Sequence, residues 1–238
     1  MRQLAVIFAL VGLAAPAGLA QSTKTIKFRA ICFQHEKDIK EVLAPAPGEE
    51  GGMQKVPLFT SVFSDPMQMK TKNGTAVFYV ENPDSTSDKD KFTPVAAAKV
   101  PAASPILFVF LPPKKGSKMP YRLLALPDDL RSAPWRSVRL LNIAPVSARF
   151  NLGEFSGKRA IQLEPGKMKT VPQVRKLNQY NAYNVVIEFK GKNGYVGVSN
   201  TRWKSVDGKR DLAIAYYDPK RHRPIVNLYS DVKPADIP

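Results

Sequence analysis

The chain has 238 residues, 44% hydrophobic and 24% charged, so a packed core is feasible and global disorder is excluded. Pro (21) outnumbers Gly (14), which argues against long helical bundles and coiled coils. A single Cys excludes a disulfide framework and any multi-cysteine metal site, and two His leave little for a His-based active centre.

Met1-Arg2-Gln3 is a short positive start, Leu4 to Leu19 is apolar, and Gly18 and Ala20 supply small residues just before Gln21. This three-part pattern predicts a signal peptide over residues 1–20 and export to the periplasm or cell surface. The run is short for a bilayer span, and no later segment is apolar enough to cross, so no transmembrane segment is expected after cleavage. The formal charge of +16 is uneven: residues 21–126 hold 15 Lys/Arg against 10 Asp/Glu, and residues 127–238 hold 20 against 10. Such a charge bears on partners rather than on fold. For an exported chain it favours anionic glycan or cell-envelope material, and nucleic acid is not expected.

In chain order, period-two apolar runs dominate. Ile26 to Phe33 is a strand with Ile26, Phe28, Ala30 and Cys32 on one face and Lys27 and Arg29 on the other, which predicts a buried, inert thiol. Lys37 to Leu43 reads as a helical turn ended by Ala44-Pro45-Ala46-Pro47-Gly48. Val56 to Phe63 is a strand interrupted by Pro57, and Thr75 to Val80 follows the turn signal Asn73-Gly74. Asn82 to Lys91 is a polar loop. Ile106 to Leu111, almost wholly apolar, reads as a core strand, and Tyr121 to Leu126 follows a basic turn at Lys114 to Lys118.

Pro127-Asp128-Asp129 to Pro134 breaks the rhythm and marks a domain boundary. Strands are then expected at Ser137–Ile143, Ala148–Leu152, Arg159–Leu163, Met168–Val174, Tyr183–Lys190, Tyr195–Trp203, Asp211–Tyr217 and Pro224–Ser230. Turn signals every eight to twelve residues, without the helices of βαβ crossovers, predict an all-β chain of two β-sandwich domains in tandem, 21–126 and 137–238. No sequence repeat relates the two halves.

No catalytic constellation is legible. Neither His35 nor His222 has a nucleophile motif beside it, and Gly-x-Ser-x-Gly does not occur. Asp128-Asp129 is the most suggestive acidic pair for a glycosidase, but linker solvation or helix capping explains it better. Asp84, Asp88 and Asp90 lack the Gly and terminal Glu of a calcium loop, and no cofactor motif is present. The positive candidate is a polyanion-binding rim in the second half: Lys190, Lys192, Lys204, Lys209, Arg210, Lys220, Arg221 and Arg223 fall at strand ends and turns, with Trp203 and Tyr217 as aromatic faces. The structural alternative is a core role for each aromatic and a solvated strand edge for the charges.

Trp135, Ser137-Val138-Arg139-Leu140-Leu141-Asn142, Leu163-Glu164-Pro165-Gly166, Thr201-Arg202-Trp203, Arg210-Asp211-Leu212, Tyr217 and Arg223-Pro224 resemble a group of small exported β-sandwich proteins of bacteria related to the Verrucomicrobia and Planctomycetes, which are mostly uncharacterised. The resemblance covers the last hundred residues and rests on turns, strand ends and aromatics, so it carries over no functional residue. It implies immunoglobulin-like sandwiches and a surface or pilus-associated role. The expected function is therefore an exported, non-enzymatic surface or adhesion/assembly module whose partners are anionic envelope material, other surface proteins or itself. The alternatives are a monomeric periplasmic polyanion- or envelope-binding protein and a glycan-active enzyme.

Overall fold

The computed structural model describes residues 22–48, 51–87, 90–114, 116–153, 159–172, 179–218 and 221–233. The expected leader and Lys220 lie outside them, as does Asp88. All regular structure described is β, arranged in several sheets and compatible with sandwich packing. The first half contains β1 (Thr23–Cys32), β2 (Glu41–Pro45), β3 (Met53–Pro57), β4 (Met67–Lys72), β5 (Thr75–Glu81), β6 (Phe92–Lys99), β7 (Ile106–Leu111) and β8 (Arg122–Pro127). The second contains β9 (Val138–Asn142), β10 (Ala148–Asn151), β11 (Ile161–Leu163), β12 (Met168–Val171), β13 (Ala182–Gly191), β14 (Gly194–Lys204), β15 (Lys209–Asp218) and β16 (Arg223–Val232).

The strands of the first half form one sheet that folds over at the tight turn between β4 and β5, where Asn73 and Gly74 both take positive φ. The fold makes two layers, β4-β1-β7-β8 and β3-β2-β5-β6. Between them lies an apolar seam containing Phe28, Ala30, Cys32, Met69, Phe108 and Phe110 from the first layer and Val42, Val56, Ala76, Phe78 and Val95 from the second. The second half builds the orders β12-β9-β15-β16 and β11-β10-β13-β14 as separate sheets around its own seam.

The two halves share one wiring. Strand n of the first half corresponds to strand n + 8 of the second, in both layers. β1 is antiparallel to β4 and parallel to β7, as β9 is to β12 and β15. Matching registers and inward faces pair Phe28 with Val138, Arg29 with Arg139, Ile31 with Leu141, Cys32 with Asn142, Leu107 with Leu212, Val109 with Ile214 and Asp128 with Asp231. Even the corner after the first strand is held alike. Cys32 Sγ donates to the Gln34 carbonyl at 2.9 Å, and Asn142 Nδ2 donates to the Val146 and Leu163 carbonyls at 2.8 Å each.

A third apolar seam joins the halves. Ile31, Phe33, Leu107, Val109 and Leu111 pack with Leu141, Leu212, Ile214 and Tyr229, so equivalent faces of equivalent sheets meet. The ring of Phe33 meets that of Tyr216 edge-on, with centroids 4.8 Å apart. β7 is therefore buried on both faces, which is why its sequence is a continuous apolar run.

Two expectations change. Lys37 to Leu43 is not a helical turn: Lys37 and Asp38 take positive φ and β2 starts at Glu41. The strand expected over Val56–Phe63 ends at Pro57, which sits on an edge strand at a position that owes no donor to β2. The segment at the expected boundary is tied to the second half through Asp128, Ala133 and Trp135.

Candidate functional site

One end of the seam between the halves is ionic. Arg29 stands on the outward face of β1 and reaches two carboxylates. Its Nε and Nη2 donate to Asp128 Oδ2 at 3.0 and 2.7 Å, and its Nη1 and Nη2 donate to the Asp231 oxygens at 2.8 Å each. Arg210 closes the ring from β15: Nε donates to Asp231 Oδ2 at 2.7 Å, and Nη2 lies 2.9 Å from Asp128 Oδ1. Its Nη1 also donates to the carbonyls of Asp128 and Ala133, and Trp135 covers it with its ring 5.0 Å away. Burial works against the charge on Asp231, but the hydrogen bonds from Arg29 and Arg210 outweigh it and hold its carboxyl below the usual range. Asp211, beside them on β15, is pushed up by burial despite hydrogen bonds from Ser230 and Lys209.

A cleft of about 530 Å³ opens over this cluster. Phe63, Pro66, Pro105, Trp135 and Val232 form its apolar walls, and Arg29, Asp128, Arg210 and Asp231 form its floor. The two floor carboxylates are engaged by guanidiniums, so neither is poised as a general acid. Asp129, the other member of the acidic pair in the sequence, caps a turn by accepting from the backbone N–H groups of Arg131 and Ser132 at 2.9 Å each. His35 lies in the first half, where Nε2 donates to the Leu58 carbonyl at 2.7 Å, and His222 lies in the exposed β15–β16 turn of the second. Among the described residues no group of three or more His, Cys, Asp or Glu is placed to hold a metal ion.

Of the ten residues expected to form one rim, Lys220 lies outside the described residues, and the other nine divide between two opposite ends of the second half. β9 runs toward Asn142 alongside β15, whose far end is Asp218, and β10 starts at Ala148 alongside the end of β13. The tips of β13–β14, β15–β16 and β11–β12 therefore gather at one end, tied by Lys190 N–H to the Ser147 carbonyl at 2.9 Å and Gly166 N–H to the Asn142 carbonyl at 2.7 Å. Lys190, Lys192, Arg221 and Arg223 are exposed there and Tyr217 is half-buried. Trp203, Lys204, Lys209 and Arg210 are at the other end.

Two of those four are not surface groups. Arg210 is 9% exposed because it neutralises the buried carboxylates, and Trp203 is 5% exposed because it packs edge-on against Tyr183 in the core. Lys209 is bound to Asp211 at 3.1 Å. Sequence reasoning missed Lys167 and the stacked pair Arg149–Tyr195 (3.5 Å), which belong to the first end. It also missed the ionic cluster. The signal was present in the doubly apolar β7, which needs a layer on each side.

No protein-family model matches the chain, and no curated protein is significantly similar to it.

Proposed function

We propose that this chain is an exported, non-enzymatic surface or adhesion/assembly protein made of two immunoglobulin-like sandwich domains in tandem, related to the exported sandwich proteins it resembles. Its second domain presents a basic end to anionic glycan or envelope material. The observation that carries this reading is the convergence of Lys167, Lys190, Lys192, Arg221 and Arg223 on neighbouring hairpin tips. Glu164 and Asp218 offset part of that charge: Asp218 pairs loosely with Arg221 at 3.8 Å, and Glu164 is bonded to Ser147 at 2.6 Å. Half-buried Tyr195, with Arg149 stacked on its ring, adds an aromatic group and a further cation to that end.

On this reading the antiparallel pairings β1–β4 and β2–β5 stand for B–E and C–F of an immunoglobulin sandwich, while the parallel β1–β7 pairing is a departure from it. For assembly, β14 offers an edge of eleven mostly exposed residues to which another strand can add.

The protein is expected to bind a heparin column at low salt and elute in a salt gradient. Reversing Lys192, Arg221 and Arg223 to Glu lowers the eluting salt, whereas Lys204→Glu at the opposite end leaves it close to that of the wild type. Elution in the low-salt wash, or an equal effect of Lys204→Glu, overturns the reading. Light scattering after size exclusion separates a self-assembling module from the monomeric periplasmic binder.

A further inference from the structure

Arg139 is the counterpart of Arg29 in the second half, yet its surroundings differ. It is 4% exposed, and neither its Nη1 nor its Nη2 has a hydrogen-bond partner among the described residues. Asp128 Oδ1 is the nearest carboxylate oxygen at 3.8 Å, beyond hydrogen-bond range and already taken by Arg210. Ser137, two residues earlier and just ahead of β9, lines the same gap, is 2% exposed, and its Oγ also has no partner among the described residues. Both side chains line a small gap of about 20 Å³ between the halves, with Phe63, Leu107 and Leu212 among its walls. That is room for one water-sized particle.

The charge around the gap does not balance. Arg29, Arg139 and Arg210 face Asp128 and Asp231, three cations against two anions, while Lys209 and Asp211 neutralise each other. The free groups are donors: four N–H of Arg139 and a rotatable hydroxyl. The carboxylate oxygens at the edge of the gap are engaged by Arg29, Arg210, Lys209 and Ser230. A water would find little to donate to, whereas an anion accepts from every free donor. Burial pulls the Arg139 guanidinium down to about 10 against the attraction of Asp128, as expected of a cation without a full counter-charge. Room for one water-sized particle suits a monatomic anion better than a tetrahedral oxyanion.

We propose that Arg139 and Ser137 form a buried site for one halide ion, chloride in nature, which completes the charge balance of the seam between the halves.

The test titrates the full mature protein with sodium chloride or bromide, against gluconate and sulfate at matched ionic strength, and follows the melting temperature. A saturable rise of about 3 °C is expected with the halides alone. Ser137→Ala, which keeps the packing, raises the half-saturating halide concentration about five-fold, and Arg139→Met abolishes the response. A crystal grown in bromide shows an anomalous peak within hydrogen-bond distance of Arg139 Nη and Ser137 Oγ. Equal responses to gluconate and halide, an unchanged titration in Ser137→Ala, or electron density of a water without anomalous signal overturns the proposal. None of these readouts depends on polyanion binding.

Discussion

Arg29 and Arg139 occupy the same position in two identically wired halves, and only one of them is satisfied. Arg29 donates four hydrogen bonds to Asp128 and Asp231, whereas neither Nη of Arg139 has a partner among the described residues. The contacts Arg29–Asp231 (2.8 Å) and Arg139–Asp128 (3.8 Å) are counterparts, as an isologous interface requires. The symmetry breaks at Arg210. Its counterpart, one residue before the start of the matched β7–β15 register, is Pro105, which has no charge to offer. Arg210 takes the Asp231 oxygen and the Asp128 oxygen that a symmetric Arg139 would hold. A repeated fold thus reproduces where charges stand without reproducing how they pair.

The comparison breaks most sharply at its shared anion. Asp128→Asn leaves three buried guanidiniums with one full carboxylate and is expected to cost about 3–5 kcal/mol in urea unfolding. A loss below about 1 kcal/mol would mean that the ring is solvated rather than sealed. The aromatic contrast between the halves comes next. Phe108 touches Phe28 and Phe78 edge-on, at 5.5 and 5.1 Å, where the second half has Ala213. Phe108→Ala should cost about 3–5 kcal/mol, near the lower end if the remaining rings collapse into the space.

Acid sharpens the ionic side. The folded-state pKa of Asp231 lies below its unfolded value of about 3.9, so its contribution is complete above that value and is lost as pH falls through the folded one. Asp211 has the opposite sign: raised by burial, it takes up its proton sooner in the folded state and gains stability as pH drops toward the unfolded value. The melting temperature of Asp231→Asn should therefore fall less steeply than that of the wild type below about pH 4. Parallel curves would show that the two guanidiniums do not hold its charge. The smallest effect is expected at Arg139: in halide-free buffer Arg139→Met is unchanged to about 1 kcal/mol more stable, because it removes a buried charge without a partner.

Much of the fold was legible. β5, β7 and β9 to β16 announce themselves through alternation and turn residues, and β1 through its Ile26–Cys32 face, where the thiol is buried and pushed up to about 12 by burial. β4 (Met-Gln-Met-Lys-Thr-Lys) and β6 went unread because Met, Lys, Ala and Pro are poor strand markers. Pro94 of β6 is accommodated where the register with β5 shifts, on an edge strand. The repeat was invisible because equivalent sites keep a pattern rather than a residue: Phe28 against Val138, Phe108 against Ala213, Cys32 against Asn142. Of the candidate rim, sequence supplied the hairpin tips. It could not tell which end of a strand each tip occupies, nor that Arg210 is drawn inward by carboxylates eighty-two and twenty-one residues away.

The segment Asp128 to Ser137 limits how the molecule can be taken apart. A fragment stopping at Leu126 leaves Ile31, Phe33, Leu107, Val109 and Leu111 bare and lacks the counter-charge of Arg29. A fragment starting at Val138 strands Arg210 without Asp128, the Ala133 carbonyl or the Trp135 ring. Each piece would emerge from expression with a greasy flank and should clump or cling to its twin, so ligand mapping calls for point variants of the intact chain rather than truncations.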